Sequence, residues 1–252
     1  MKSFLLTSLL LVTLLFSCGN DDDNDGASMD LTTDIVGTYS NLLYITDIDD
    51  EVESVGGARV AVTKVSDNQI SVNVSFPNDP DLIPASFTAN MTSTSALTVP
   101  SFSLFGLTTT GTGSFTNNTL VIDLTDSDGD TYKFTNDFTT LFVGSYSGEY
   151  EVSSLTNPML FAGISATVTK VSNTQFDLAF DDPDVGTFTL SATVVADSST
   201  GVNDGTDYEV AQIVIGGATF TGDGFITPSD GFFKLNLDGN GGQFEQYFGD
   251  KQ

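Results

Sequence analysis

The 252-residue chain has no histidine, no tryptophan and a single cysteine, Cys18. The missing histidine excludes Ser-His-Asp and Cys-His nucleophiles as well as zinc or haem held by imidazole. One cysteine can form neither an internal disulfide nor a thiolate metal cluster. Basic residues are also scarce, with 7 Lys and Arg against 34 Asp and Glu, for a formal net charge of -27. Because so acidic a surface repels phosphate backbones, we expect no nucleic-acid partner.

The N-terminus has the pattern of a targeting segment. Lys2 precedes an apolar run from Phe4 to Phe16, which is shorter than the roughly 20 residues of a membrane-spanning helix and is typical of a signal peptide. The run ends in Leu15-Phe16-Ser17-Cys18, which resembles the bacterial lipobox. The resemblance implies that residues 1–17 are removed and that Cys18 becomes a lipid-carrying N-terminus. The alternative is an ordinary signal peptide with an incidental cysteine.

An acidic segment follows Cys18. Residues 19–26 read GNDDDNDG and contain no apolar side chain, so we predict that residues 18–33 form a disordered tether. The segment resembles the acidic stretch that follows the lipidated cysteine in surface-exposed lipoproteins of the Bacteroidota, where it serves as an export address. This resemblance implies a lipid-anchored protein on the outer face of the outer membrane.

The remainder of the chain is a tandem repeat. Val36-Gly37-Thr38-Tyr39-Ser40 recurs as Val143-Gly144-Ser145-Tyr146-Ser147, and Val62-Thr63-Lys64-Val65-Ser66 recurs as Val168-Thr169-Lys170-Val171-Ser172, at almost the same offset. The period is too long for a solenoid or a propeller blade and suits a complete small domain. We therefore predict two domains of the same fold at residues 34–138 and 139–252, and a shared structural role for Tyr39 and Tyr146.

Apolar residues alternate with polar ones throughout both repeats, which is typical of antiparallel strands with one buried face. The clearest alternating sets are Ile70, Val72 and Val74; Leu120, Ile122 and Leu124; Phe176, Leu178 and Phe180; and Phe233, Leu235 and Leu237. The predicted fold class is all-β, with two tandem antiparallel domains of seven or eight strands each. The alternation does not distinguish a meander β-barrel from a β-sandwich.

The two repeats resemble the calycin-like (lipocalin-related) domains of Bacteroidota lipoproteins. Gly37-Thr38-Tyr39 and Gly144-Ser145-Tyr146 take the place of the Gly-x-Trp that opens the first lipocalin strand, although tyrosine departs from that pattern. The arginine that packs on this tryptophan has no evident counterpart, since Arg59 is the only arginine. The resemblance implies barrels that hold a small apolar or amphiphilic ligand, with no catalytic residue and no cofactor.

One loop could bind a metal ion. Asp126, Asp128 and Asp130 place three carboxylates within five residues, and Ca²⁺ prefers such oxygen ligands. A simple Asp-Gly hairpin turn explains the same residues. The corresponding loop of the second repeat begins at Asp238 and has one carboxylate, so a duplicated calcium site is not supported.

Three functions remain open after these exclusions. The first is a surface-anchored, non-enzymatic protein with a ligand cavity lined by inward phenylalanine, leucine and valine. The alternative is an adhesive or glycan-binding scaffold that uses the Thr/Ser-rich stretch from Thr92 to Thr116 and the seven tyrosines. The third, an enzyme with paired carboxylates, is disfavoured because the glutamates are scattered, as in Glu149-Tyr150-Glu151, which alternates like an exposed edge strand. Most carboxylates lie in turns and on outward strand positions, and we interpret them as serving solubility.

Overall fold

A computed structural model describes residues 29–154, 157–182, 186–195, 206–215, 217–240 and 244–252. Cys18, the predicted signal peptide and most of the predicted tether lie outside these ranges. Within the ranges the chain forms sixteen antiparallel strands and contains no helix that could cross a membrane. The first eight strands and the last eight each close into a barrel, so the fold is all-β with two tandem eight-stranded barrels.

The strand bounds are as follows. The first barrel consists of β1 (Gly37–Ile48), β2 (Glu51–Ser66), β3 (Gln69–Ser75), β4 (Ala85–Ser93), β5 (Ala96–Leu104), β6 (Leu107–Thr116), β7 (Thr119–Asp126) and β8 (Thr131–Thr135). The second consists of β9 (Gly144–Ser154), β10 (Asn157–Lys170), β11 (Gln175–Asp182), β12 (Gly186–Val194), β13 (Asp207–Ile215), β14 (Ala218–Thr227), β15 (Phe232–Gly239) and β16 (Phe244–Lys251).

Each barrel is an up-and-down meander in which every strand pairs with its sequence neighbours and the last strand pairs with the first. Tyr44 on β1 lies opposite Phe134 on β8, and Tyr150 on β9 lies opposite Tyr247 on β16. Closure satisfies the backbone hydrogen bonds that a sandwich would leave at its edges. The interpretation of Glu149-Tyr150-Glu151 as an exposed edge is therefore wrong, because β9 pairs with both β10 and β16 and Tyr150 is buried.

The alternating residues face the barrel interiors, as the sequence predicts. All twelve are at most 2% exposed: Ile70, Val72, Val74, Leu120, Ile122, Leu124, Phe176, Leu178, Phe180, Phe233, Leu235 and Leu237. Glycines make room for the larger rings. A Cβ on Gly224 would lie 2.2 Å from the Tyr208 hydroxyl, which donates a hydrogen bond to the carbonyl of Lys234 across the barrel.

One end of each barrel is covered by the segment that precedes its first strand. We call residues 29–36 the first plug segment and residues 136–143 the second plug segment. Leu31 and Ile35 pack on the core of the first barrel, and Phe138 and Phe142 pack on the core of the second. Each segment is fixed by one backbone hydrogen bond, from the Leu31 N–H to the Asp67 carbonyl (2.8 Å) and from the Phe138 N–H to the Asn173 carbonyl (2.7 Å).

The same side-chain contacts hold both plug segments. Lys64 forms an ion pair with Asp30, and Lys170 forms the equivalent ion pair with Asp137. The repeated tyrosines also act alike. The Tyr39 hydroxyl donates to the Ile35 carbonyl at 2.7 Å, and the Tyr146 hydroxyl donates to the Phe142 carbonyl. The predicted structural role of the Gly-x-Tyr motif is confirmed, since each tyrosine ties a plug segment to its barrel.

The second plug segment also contacts the outer wall of the first barrel. Leu43 on β1 alternates with the inward Tyr44 and points outward, yet it is completely buried in the same cluster as Phe138, Leu141 and Phe142. The Thr119 hydroxyl adds a hydrogen bond of 3.0 Å to the side chain of Asn173. The linker between the barrels is therefore a packed element with hydrophobic contacts on both sides.

Candidate ligand-binding site at the open end of the first barrel

The end of the first barrel opposite its plug segment carries the turns β1–β2, β3–β4, β5–β6 and β7–β8, because successive strands of a meander run in opposite directions. We call this end the open end. Three of its turns each expose one large apolar side chain: Ile48 (40% exposed), Ile83 (61%) and Phe105 (51%). Exposed apolar residues occur singly on most protein surfaces, so these three gain weight only together with the polar residues beneath them.

Phe105 occupies an unusual backbone position. Leu104 pairs with Leu107, so Phe105 and Gly106 alone make the β5–β6 turn, with φ angles of 52° and 88°. Such a two-residue turn favours Asn, Asp or Gly at its first position. A non-glycine residue in the left-handed region costs about 1–2 kcal/mol. Strain of this size at an exposed aromatic residue is a mark of functional sites.

The Phe105 ring lies over the opening of the barrel. Its centroid is 6.0 Å from that of Tyr132, at an interplanar angle of 57°. In the second repeat the sequence at this turn reads Gly216-Gly217, the choice that the turn geometry favours. Phe105 is therefore specific to the first barrel.

Below the rim lies a row of buried polar side chains that we call the polar belt. It consists of Thr46 on β1, Tyr132 on β8, Asp126 on β7 and Thr109 on β6, none more than 9% exposed. Thr46 lies opposite Tyr132, and Asp126 lies opposite Thr109. Residues directly opposite in an antiparallel pair share a face, so the belt lines the inner wall of the open end.

Asp126 is held by four hydrogen bonds. Its Oδ1 accepts from the backbone N–H groups of Asp128 (3.0 Å), Gly129 (3.1 Å) and Asp130 (3.1 Å), and its Oδ2 accepts from the Tyr132 hydroxyl at 2.8 Å. Burial opposes the charge, but these hydrogen bonds outweigh it and lower the pKa of Asp126. Burial and the bond to Asp126 raise the pKa of Tyr132. At neutral pH the pair is a carboxylate and a neutral phenol.

The three aspartates considered for calcium form a hairpin turn here. Asp126 turns inward to the belt, while the carboxylate of Asp130 accepts the backbone N–H of Asp49 at 3.4 Å. In the ranges that the structure describes, no three Asp, Glu, Cys or His side chains are grouped so that they could hold a metal ion. Calcium at Asp126, Asp128 and Asp130 stays a prediction without support from this arrangement.

Thr109 is the unusual member of the polar belt. It is 0% exposed, and its Oγ1 has no hydrogen-bond partner. A buried hydroxyl without a partner costs about 1–3 kcal/mol, and each such case in a native fold calls for an explanation, such as a water or a ligand. Thr109 belongs to the Thr/Ser-rich stretch from Thr92 to Thr116 that a glycan-binding surface would use. Thr109 lies on the same face of β6 as Gly111 and Gly113, and this alternation is the sequence feature that indicates its inward position.

The second barrel keeps only one polar residue at the level of the polar belt, the buried Glu245. By strand pairing, Thr109 corresponds to Phe220, Asp126 to Gly239, Thr46 to Val152 and Tyr132 to Glu245. Phe220 is 3% exposed and belongs to the hydrophobic core. The interior is filled by ring contacts with centroids 4.2–6.4 Å apart, among them Phe142–Phe176, Phe142–Tyr208, Phe176–Tyr208, Tyr208–Phe233, Phe180–Phe188, Phe180–Tyr247 and Phe233–Tyr247.

These contacts also bear on the other sites considered from the sequence. Six of the seven tyrosines are buried and Tyr39 is half-buried, so tyrosine offers no exposed platform for a glycan. Asp126 and Glu245 are the carboxylates that are buried in the described ranges, and they lie in different barrels. Two clefts of about 340 and 540 Å³ lie outside the barrels, beside Leu141 and beside Asn173 respectively.

Comparison with known proteins gives distant similarities of fold. No family model and no curated protein matches the chain. A candidate outer membrane protein from Bacteroides fragilis covers 89% of this chain and all of its own, at 14% identity and a TM-score of 0.37. A DUF3598-family protein of unknown function from Nostoc punctiforme covers 88% and 98%, at 8% identity and a TM-score of 0.33.

A third structure, transferrin-binding protein B from Haemophilus parasuis, covers 79% of this chain and 54% of its own, at 9% identity and a TM-score of 0.27. With TM-scores this low, none of these similarities carries an argument about function. The candidate site therefore rests on the side chains of the first barrel alone.

Proposed function

We propose that this is a non-enzymatic cell-surface protein, anchored by lipid on Cys18, whose first calycin-like barrel binds a small amphiphilic ligand at its open end. One observation carries the proposal. The Thr109 hydroxyl is buried without a partner beside the Asp126–Tyr132 pair, at a level where the second barrel is filled by Phe220. A ligand with a polar head and an apolar chain would satisfy this hydroxyl and cover the exposed rim.

The position of the anchor suits this use. The first plug segment, at the closed end of the barrel, follows the predicted lipid anchor by about a dozen residues, a reach of at most about 40 Å. A lipid on Cys18 would therefore attach the protein through its closed end. The open end lies at the opposite end of the barrel, where a ligand arriving from outside the cell has access to it.

The adhesive or glycan-binding alternative has less support, because the tyrosines that it would use are buried. The proposed ligand is tested by native mass spectrometry of the full chain extracted from its source membranes. We expect a retained small molecule in the wild type and its loss in Thr109→Val, which keeps the shape of the side chain and removes the hydroxyl. A wild type that retains nothing and binds nothing from a lipid extract of the same cells would overturn the proposal.

The anchor is tested separately by Cys18→Ser. We expect the variant to leave the membrane fraction on cell lysis, whereas the wild type stays in it and carries a lipid-modified N-terminal peptide. A wild-type N-terminus without lipid, or a variant that stays in the membrane fraction, would contradict anchoring through Cys18.

A further inference from the structure

We propose that the open end of the first barrel selects a cationic amphiphile, an organic ammonium group on an apolar chain. This inference rests on the proposed function and adds the charge of the ligand. It is carried by three features of the open end: the charge of its turns, the pairing of aromatic rings with a carboxylate, and the hydroxyl of Thr109.

The turns of the open end have only one sign of charge. Residues 47–53, 77–84, 105–106 and 126–131 contain ten Asp and Glu and no Lys or Arg. The corresponding residues of the second repeat, 153–159, 181–186, 216–217 and 239–244, contain three. Carboxylates that served solubility alone would not need to gather around one opening. A rim lined by one sign of charge attracts the opposite charge and repels anionic head groups.

The aromatic residues at the rim suit the same ligand. The ring centroids of Phe105 and Tyr132 lie 6.0 Å apart, and the Tyr132 hydroxyl donates a hydrogen bond to the carboxylate of Asp126. Organic cations bind favourably over aromatic faces, most of all where water is displaced. The half-exposed Phe105 ring packs against Tyr132 of the belt. Phe105 bears backbone strain that a glycine at the same position would avoid.

Thr109 gives the second, independent pointer to a ligand within this acidic region. Its Oγ1 is fully buried, without a partner, and shares the inner wall with Asp126. An ammonium N–H is a donor that this oxygen can accept while the carboxylate balances the charge. The chain of the ligand then lies along the exposed Ile48, Ile83 and Phe105 at the rim. An eight-stranded barrel is wide enough to be filled by its own side chains or to hold one small ligand, and it is too narrow for a folded partner.

The experiment compares three probes with the same chain and different heads: octylammonium, 1-octanol and octyl sulfate. Isothermal titration is carried out on the full mature chain at low ionic strength. We expect octylammonium to bind at least about tenfold more tightly than octanol, octyl sulfate not to bind, and the preference for the cation to fall as salt is added. Equal binding of octanol or octyl sulfate would overturn the charge preference and leave the proposed function intact.

Variants locate the effect. Phe105→Gly introduces the residue that the second repeat has at this turn, so the fold is kept; we expect about tenfold weaker octylammonium binding. Thr109→Val is expected to weaken octylammonium more than octanol. Val214→Ala changes an exposed residue at the open end of the second barrel and serves as the matched control, with no expected effect.

Several outcomes would refute the proposal. If Phe105→Gly and Val214→Ala weaken octylammonium binding equally, the site lies elsewhere. The same conclusion follows if Phe105→Gly leaves octylammonium binding unchanged. Binding of a lysine-rich peptide without binding of octylammonium would show a protein partner instead. If none of the three probes binds and the native protein retains no molecule, the proposed function fails together with the inference.

Discussion

Substitution of Phe142 tests whether the linker between the barrels contributes to the hydrophobic core of the second barrel. Its side chain is completely buried and stacks on Phe176 at 4.9 Å, with an edge contact to Tyr208 at 5.6 Å. Replacement of a buried phenylalanine by alanine costs about 3–5 kcal/mol of unfolding free energy. The actual loss within this range depends on how far the surroundings can collapse into the cavity.

The backbone around Phe142 has little freedom to collapse. The Phe138 N–H is bonded to the Asn173 carbonyl at 2.7 Å, and the Lys251 ammonium donates to the Leu141 carbonyl at 3.1 Å. We therefore expect Phe142→Ala to lose about 4–5 kcal/mol, the upper part of the range. For a unit of about 100 residues this lowers the Tm by at least about 15 °C.

The assay is urea unfolding followed by circular dichroism, with hydrogen exchange to locate the change. Amides of β11 and β13 should lose protection in Phe142→Ala, while those of β3 and β7 keep theirs. Val143→Ala is the matched control, because the neighbouring side chain is 38% exposed, and its effect should stay within about 0.5 kcal/mol. A loss below about 1 kcal/mol in Phe142→Ala would refute the view that the linker completes the core.

Two further predictions concern the polar belt and the closure of the second barrel. Asp126→Asn should lower the unfolding free energy at pH 7 by about 1–3 kcal/mol. Because the folded-state pKa of Asp126 is lowered, its stabilisation is present above the ordinary carboxyl pKa of about 3.9 and is lost as the pH falls through the folded value. Unfolding curves of both proteins should therefore converge in acid, and a gap that stays constant from pH 7 to pH 2 would contradict the hydrogen-bond assignment. Gly148→Ala should prevent the second barrel from closing, because the new Cβ would lie 1.7 Å from the Phe248 carbonyl oxygen and 2.4 Å from the Gly249 Cα. Gly37→Ala is the control and should fold normally, since no atom lies within 4 Å of its new Cβ. A soluble Gly148→Ala protein whose amides are fully protected from hydrogen exchange would disprove the steric argument.

The strands could be predicted because burial on one face leaves a direct mark on the sequence. Ile70, Val72 and Val74 alternate with polar residues and are buried as expected. Closure into a barrel leaves no such mark, because the same alternation of apolar and polar residues also suits a sandwich. Closure depends instead on whether β1 pairs with β8. The repeat of Gly37-Thr38-Tyr39 at Gly144 was visible and proved to be a structural tie for the plug segments.

The candidate site was harder to predict, because strand register and backbone conformation determine which of its residues face the barrel interior or the rim. Thr109 looks like any threonine in a polar strand until its pairing with Asp126 places it inside. Phe105 precedes a glycine, but only its positive φ shows that an aromatic residue occupies a turn position suited to asparagine or glycine. Asp126 was singled out for its carboxylate, and the structure uses that group to hold a turn and a tyrosine.

The meander order has a consequence for the rate at which the protein folds. Seven of the eight strand pairs in each barrel join sequence neighbours and can form as local hairpins, whereas the last pair joins opposite ends of the unit, as in Tyr44 with Phe134. Pairing of two strands so far apart in the sequence carries a large entropic cost of loop closure, so we expect it to form late in folding. Until it forms, the inward phenylalanines and two unpaired strand edges face water, so we expect the folding chain to be at its most prone to aggregation just before closure.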